Sequence, residues 1–367
     1  MNQCFLPHSS TIDSLSSGGS YELAKLSFFH NRVKKNIDLL LGETYVLPDV
    51  LASFGEFSKA LSGLIDPQIN FSEAQIKDKD KANKFDIYDK YFEVTRIAGM
   101  TFGQFIQQYL DSSAELINEI GYTSMSRGEV AYLLKGWEAA NLLLLSIHPA
   151  KTDEDYTPED VLQSAPTEND KRALYRWKLA HHGFAIFMIL SGYCLDQASR
   201  DIEEDKVSSR TADWIDKAAH LFRSTTACME FGNSFTSSVY RSVIRPDMSR
   251  ANEEANLPNG FSGTQNLEYV TWRKKKLNFF SLLKEHGSRL KADVIESTEL
   301  LRCYYLEDMH IHSIIAGRMV GIEKSLLQEG FGKKGKSIAI TAGDMLRMMA
   351  KRREEETQFI LKLGASS

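Results

Sequence analysis

The stretch Tyr21-Glu-Leu-Ala-Lys-Leu-Ser-Phe-Phe-His-Asn-Arg-Val-Lys-Lys-Asn-Ile-Asp-Leu-Leu-Leu41 places Leu23, Leu26, Phe29, Val33, Ile37 and Leu41 three or four residues apart, and Gly42 follows. Residues so spaced share one side of an α-helix and glycine commonly stops one, so this segment reads as an amphipathic helix. The same reading extends along the chain. Only eight prolines occur in 367 residues, and long stretches lack the alternation of β-branched residues that strands need. Further helices are expected over 51–64, 87–120, 126–146, 169–202, 210–243, 265–286, 291–327 and 341–363. Three stretches rich in Pro, Asp, Asn, Gly or Thr, at 66–85, 148–166 and 246–264, read as loops.

The fold class is therefore all-α, a helical bundle whose carboxyl-terminal part holds the site, packed with a smaller helical amino-terminal region. Residues 1–20 form a leader whose Ser/Gly-rich half, from Ser9 to Ser20, buries too little to offset its ordering entropy. The amino-terminal region runs over 21–150 and the site-bearing domain over 151–367. Between them Pro149, Pro158 and Pro166 interrupt a polar, acidic segment. No internal repeat and no long heptad run occurs.

Forty-four Lys plus Arg against 49 Asp plus Glu leave a net charge of −5, which argues against a nucleic-acid surface. The basic runs at 273–276, 333–334 and 351–353 read as solvated helix faces or loops. Cys4, Cys194, Cys228 and Cys303 are widely separated, so neither a disulfide framework nor a structural zinc site is suggested. A reducing cytoplasm fits this pattern. The first eight residues lack the basic-then-apolar order of a secretory signal, and the apolar stretches 142–145 and 184–190 are too short to cross a bilayer. The expectation is a cytoplasmic protein with neither nucleic acid nor membrane as partner.

Three constellations carry candidate chemistry. In the first, His312 shares a helical face with Tyr305, Met309, Ile315, Ala316 and Met319. A single imidazole on an apolar surface suits an axial ligand to haem iron, but the pattern is common and more often marks a core or interface histidine with a satisfied hydrogen bond. Spacing leaves both readings open. His310 faces nearly the opposite way, so the two histidines do not serve one metal, and the pair His181-His182 has the same geometry. In the second constellation, Arg241 lies near the end of an apolar helix and the loop with Ser262-Gly263 follows. Such an arginine either clamps a carboxylate or satisfies terminal carbonyls. The third runs from Gly330 through Thr341-Ala-Gly343 to Arg347, a glycine-containing loop entering a helix whose free amides could hold an anion. No strand precedes it, so it is not a nucleotide-binding P-loop. Cys194 and Cys303 sit in apolar contexts and read as buried packing residues.

Taken in order, Arg241, Ser262-Gly263, His312 with Arg318-Met-Val-Gly321, and Thr341-Ala-Gly343 with Met345-Leu-Arg347 resemble the haem-dependent tryptophan and indoleamine 2,3-dioxygenase superfamily. The stretches 143–149, 155–157 and 316–318 also look like the pyrrolnitrin-biosynthesis enzymes that rearrange chlorotryptophan. The resemblance covers roughly residues 180–363. It implies haem b in the carboxyl-terminal bundle, with His312 as the iron ligand and Phe184 and Met188 beside the macrocycle. It implies that Arg241, Ser262, Gly263 and Thr341 bind substrate, an aromatic amino acid or indole, with O2 at the open iron position. A homo-oligomer is compatible with it. The chemistry implied is oxygenation of tryptophan or a relative. Alternatives are rearrangement or hydroxylation of an aromatic amino acid in specialised metabolism, and haem binding or sensing without turnover. The distal residue is open, His181 and His182 being candidates, and the loop before Thr341 departs from the pattern through Lys333, Lys334 and Lys336.

Overall fold

The computed structural model describes residues 3–9, 11–13, 15, 20–41, 56–57, 84–147, 169–254, 261, 263–320 and 342–364. Among these the chain is all-α apart from one pair of four-residue strands. The helices are α1 (Ser20–Leu41), α2 (Lys84–Tyr91), α3 (Phe102–Ile120), α4 (Arg127–Ile147), α5 (Asn169–Glu203), α6 (Ser209–Gly232), α7 (Arg245–Glu254), α8 (Leu267–His286), α9 (Ala292–Val320) and α10 (Ala342–Gly364). Strands β1 (Cys4–Pro7) and β2 (Val94–Ile97) pair in parallel, Cys4 opposite Val94. The leader expected over 1–20 is thus structured at Cys4–Pro7. Cys4 and Leu6 are fully buried, and the ladder satisfies backbone groups that a buried loop would leave open.

Two expected helices are broken. The stretch 87–120 divides because Glu93 and Gly99 adopt positive φ of 58° and 64°, which no helix accommodates. Helix α3 restarts at Thr101 through a capping box: its hydroxyl accepts from the Gln104 amide at 3.1 Å, and Gln104 Oε1 accepts from the Thr101 amide at 2.9 Å. The stretch 210–243 ends early at Gly232. Asn233 and Ser234 turn their side chains back onto the carbonyls of Met229 and Glu230, and Thr236 caps a new turn over Ser237–Val239.

The contacts sort the chain into two units interleaved in sequence. The first comprises Met1–Ala82, Phe92–Phe187 and Ala227–Ser234; the second comprises Asn83–Tyr91, Met188–Thr226 and Phe235–Ser367. In the first unit α1 packs on α3 and α4, and Phe29 meets the rings of Phe57, Tyr109 and Trp137 at 5.7, 5.8 and 6.3 Å. Helix α4 is long and apolar enough to cross a membrane, yet Leu133, Leu134, Trp137, Leu143 and Leu144 are fully buried, as in a core helix. Glu119, 1% exposed, is held by Arg172 at 2.8 Å and Arg176 at 3.6 Å. Glycine allows close helix approach here: a Cβ at Gly232 would lie 2.6 Å from Ala180 Cβ, and one at Gly183 would lie 2.7 Å from Leu116 Cδ1.

In the second unit α9 packs extensively on α10. The rings of Phe222, Trp272, Phe280 and Tyr305 cluster beneath, Phe222 stacked on Trp272 at 4.5 Å. Two basic runs expected on solvated faces contribute here instead. Lys276 is 1% exposed and donates to Tyr305 Oη at 3.0 Å and to Glu356, while Arg353 is 6% exposed. Each falls on the apolar stripe of its helix, Lys276 between Trp272 and Phe280, Arg353 beside Thr357 and Ile360, so the long stems pack while the heads find carboxylates. Arg273 and Lys274 are exposed, as a solvated face requires.

Candidate functional site

Helix α9 buries one stripe, formed by Leu301, Tyr305, Met309, Ile315 and Met319. His312 stands in the middle of that stripe, three residues from Met309 and three from Ile315, yet its side chain is accessible. His312 is thus an accessible imidazole on the same helical face as the buried Met309, Ile315 and Met319. Desolvation is the main effect on the ring and holds its pKa below the ordinary histidine range; Asp308 opposes this and Arg353 reinforces it. Accessibility and desolvation coexist where solvent touches a ring from one side and protein crowds it elsewhere. The ring makes no hydrogen bond to another described residue.

This arrangement fits a haem. Haem brings four equatorial nitrogens and asks the protein for one neutral axial nitrogen within apolar walls. His312 offers an imidazole that bonds no other side chain or carbonyl among the described residues, held toward the neutral form by desolvation, on the face that carries Met309, Ile315 and Met319. Among the described residues no three His, Cys, Asp or Glu side chains converge as metal ligands.

Asp308, one turn before His312, was not singled out in the sequence. Its Oδ2 accepts from Arg353 Nη1 at 2.8 Å and its Oδ1 from Thr226 Oγ1 at 2.9 Å. The same Arg353 Nη1 donates to the Tyr305 carbonyl at 2.6 Å, and its guanidinium lies 4.1 Å from the Tyr305 ring centre. The four-residue spacing to His312 was visible; Thr226 and Arg353 lie far along the chain and reach Asp308 only through folding.

Arg241 lies in a π-helical turn, Tyr240–Ile244, where the Arg245 amide bonds the Tyr240 carbonyl. One extra residue in a turn rotates the following side chains, and such turns recur at functional sites. Arg241 is exposed, and the preceding turn, Ser237–Val239, packs against α9. Gly263 opens a 3-10 turn, and a Cβ there would meet the Tyr269 ring at 3.0 Å. Phe261 stacks on Tyr91 at 4.6 Å and meets Tyr88 edge-on at 5.7 Å, anchoring this segment to α2. Ser262 and Thr341, together with the lysine-rich loop, lie outside the described residues. Met188 is buried in the second unit and Phe184 half-buried in the first.

Both candidate distal histidines carry structural hydrogen bonds within the first unit. His182 donates to the Phe92 carbonyl at 2.6 Å and His181 to the Trp177 carbonyl at 2.7 Å; His181 also stacks on Phe92 at 3.7 Å. Burial pushes His182 down to about 4 and His181 to about 3. Burial likewise pushes the Cys194 thiol well above its usual range, as suits a packing residue. Cys303, expected to be buried, is exposed, because it lies on the side of α9 away from the Tyr305–Met309 stripe.

The model of the SfmD 3-methyl-L-tyrosine peroxygenase family matches residues 50–288, well over half of the chain. The chain belongs to that family. It is a haem-dependent family, so the cofactor expected from sequence is met at the family level, whereas the narrower tryptophan and indoleamine dioxygenase superfamily is not what the match shows. The matched stretch contains Arg241 and ends before α9 and His312. Among solved structures, reduced SfmD, crystallised and soaked with sodium hydrosulfite, aligns with 14% identity over 85% of this chain and 96% of its own, at a TM-score of 0.47. No curated protein sequence matches the chain.

Proposed function

We propose that this member of the peroxygenase family inserts oxygen into an aromatic amino acid, with His312 as the protein's ligand to haem iron. The observation that carries the reading is the accessible His312 imidazole within the closed stripe of α9. Haem, when bound, supplies the oxidising chemistry; the chain supplies position and surroundings. His312 presents a neutral nitrogen, and Met309, Ile315 and Met319 supply apolar surface on the same helical face. Arg241 pairs with the substrate carboxylate, its planar fork suited to two parallel hydrogen bonds. That pairing fixes which end of the amino acid faces outward and which ring position faces inward, at an entropic cost met on binding rather than in the reaction. Backbone amides near Ser262-Gly263 and the hydroxyl of Thr341 complete the grip on the polar end. The family name makes 3-methyl-L-tyrosine and its phenolic relatives the first substrates to try, with peroxide as oxidant.

A second reading, oxygenation of tryptophan by O2, draws on the order Arg241, Ser262-Gly263, His312 and Thr341. One experiment separates them. The haem-loaded protein is mixed with 3-methyl-L-tyrosine, L-tyrosine or L-tryptophan, with hydrogen peroxide under nitrogen and with O2 plus reductant. Oxygenated phenol formed with peroxide alone supports the first reading; formylkynurenine formed only with O2 supports the second. Absence of product in every arm sinks both. His312→Ala is expected to abolish the native Soret band, and its survival unchanged would show that another residue holds the iron.

A further inference from the structure

We infer that Tyr269 is the distal residue of the proposed haem site, its hydroxyl donating a hydrogen bond to a small ligand in the open iron position. This rests on the reading of His312 as the haem ligand. Helices α8 and α9 are joined by residues 287–291, a connection short enough that the two run antiparallel. Tyr305 sets their register. Its hydroxyl accepts from Lys276 at 3.0 Å, and its ring lies 6.0 Å from that of Trp272 and 6.4 Å from that of Phe280, one turn to either side of Lys276. Tyr269 comes seven residues before Lys276, and His312 seven residues after Tyr305. Seven residues are about two turns and about 10 Å of helix, and they return a side chain to nearly the same face. In an antiparallel pair both steps lead the same way, so Tyr269 and His312 stand level on the facing sides of α8 and α9. Two further observations agree. The buried Arg353 guanidinium interacts electrostatically with the Tyr269 phenol and with the His312 ring. The Tyr269 ring also lies against Gly263, where a Cβ would meet it at 3.0 Å, so it adjoins the loop proposed to hold substrate. The neighbouring donors are committed: Trp272 Nε1 to Ser191 at 3.0 Å, Lys276 to Tyr305 and Glu356, Arg353 to Asp308 and the Tyr305 carbonyl. Tyr269 is half-buried, and its hydroxyl bonds no other described residue. A donor placed opposite the protein's own ligand governs what binds haem iron.

Carbon monoxide on the ferrous, haem-loaded protein reads such a donor, because a hydrogen bond to the bound gas lowers its C–O stretching frequency. Tyr269→Phe removes the hydroxyl and no bond that the structure gives it. Haem loading is therefore expected to match wild type while the C–O band moves upward. Tyr304→Phe is the control. That ring lies 5.8 Å from the ring of His220, on a side of α9 turned about 100° from Tyr305, and its variant is expected to leave the band in place. An unmoved band in Tyr269→Phe, or equal movement in both variants, overturns the inference by showing no bond or a diffuse effect. Loss of haem from Tyr269→Phe also overturns it, since the hydroxyl would then hold the cofactor rather than its small ligand. His312→Ala tests the ligand assignment separately. If native ligation survives that substitution, the reading of His312 fails, whereas an unmoved band in Tyr269→Phe with intact His312 ligation defeats the role of Tyr269 only.

Discussion

His182 Nε2 lies 2.6 Å from the Phe92 carbonyl oxygen, while the adjacent His181 stacks on the Phe92 ring at 3.7 Å. One residue in the first unit therefore engages two consecutive histidines, one through its backbone and one through its side chain. Both imidazoles are held neutral by burial and donate their single proton to a carbonyl.

This predicts acid sensitivity. In the unfolded chain these imidazoles titrate near 6.5, while in the folded protein His182 titrates near 4 and His181 near 3. Between those limits the unfolded state binds more protons, so stability is fully present above pH 6.5 and falls as pH drops toward 4. Complete titration across the gap for His182 is worth on the order of 3 kcal/mol. Denaturant melts at pH 7.5 and 5 should show the loss, and His182→Gln should lose less than wild type over the same interval.

Breaking the Glu119 cluster should be costly. Glu119→Ala leaves Arg172 and Arg176 facing each other around a buried gap, Arg176 itself being 7% exposed. Removing one partner of a buried ion pair costs about 3–5 kcal/mol. Urea denaturation of Glu119→Ala against wild type measures it, and a change below 1 kcal/mol would place this pair with ordinary surface ion pairs.

Two glycine substitutions should act in opposite directions. Gly232→Ala places a methyl 2.6 Å from Ala180 Cβ, which has no rotamer to escape through, so overpacking of about 1–3 kcal/mol is expected. Gly317→Ala on α9 meets nothing within 4 Å and replaces a poor helix former, for a gain of about 1 kcal/mol. Thermal melts should move down for the first variant and up for the second.

Arg241 should discriminate by charge. Arg241→Ala is expected to weaken aromatic amino acids about 10- to 100-fold, the worth of a charge-assisted hydrogen bond, while barely affecting the same rings without a carboxylate. Optical titration of the haem-loaded protein with L-tyrosine and with tyramine tests this; equal losses for both would remove Arg241 from substrate recognition.

The sequence by itself determined the helices. Apolar residues three and four apart, few prolines and recognisable loop composition are local facts, and α1, α4, α5, α8 and α10 lie close to where the spacing put them. It also marked His312, Arg241 and Gly263 as chemically able, because residue type and order are visible in one dimension. Tertiary structure decided which polar groups are committed. Lys276 and Arg353 read as solvent-facing from charge alone, yet their stripes carry them inside to Glu356 and Asp308, each reached only across another helix. His181 and His182 look available in the sequence, yet each donates a hydrogen bond to a carbonyl, His181 to that of Trp177 and His182 to that of Phe92. The π turn under Arg241 depends on where one extra residue is absorbed, which periodicity does not record. Local pattern states what a residue is able to do; burial and distant partners decide whether it is free to do it, because the cost of an unpaired polar group is set by surroundings that exist only after folding.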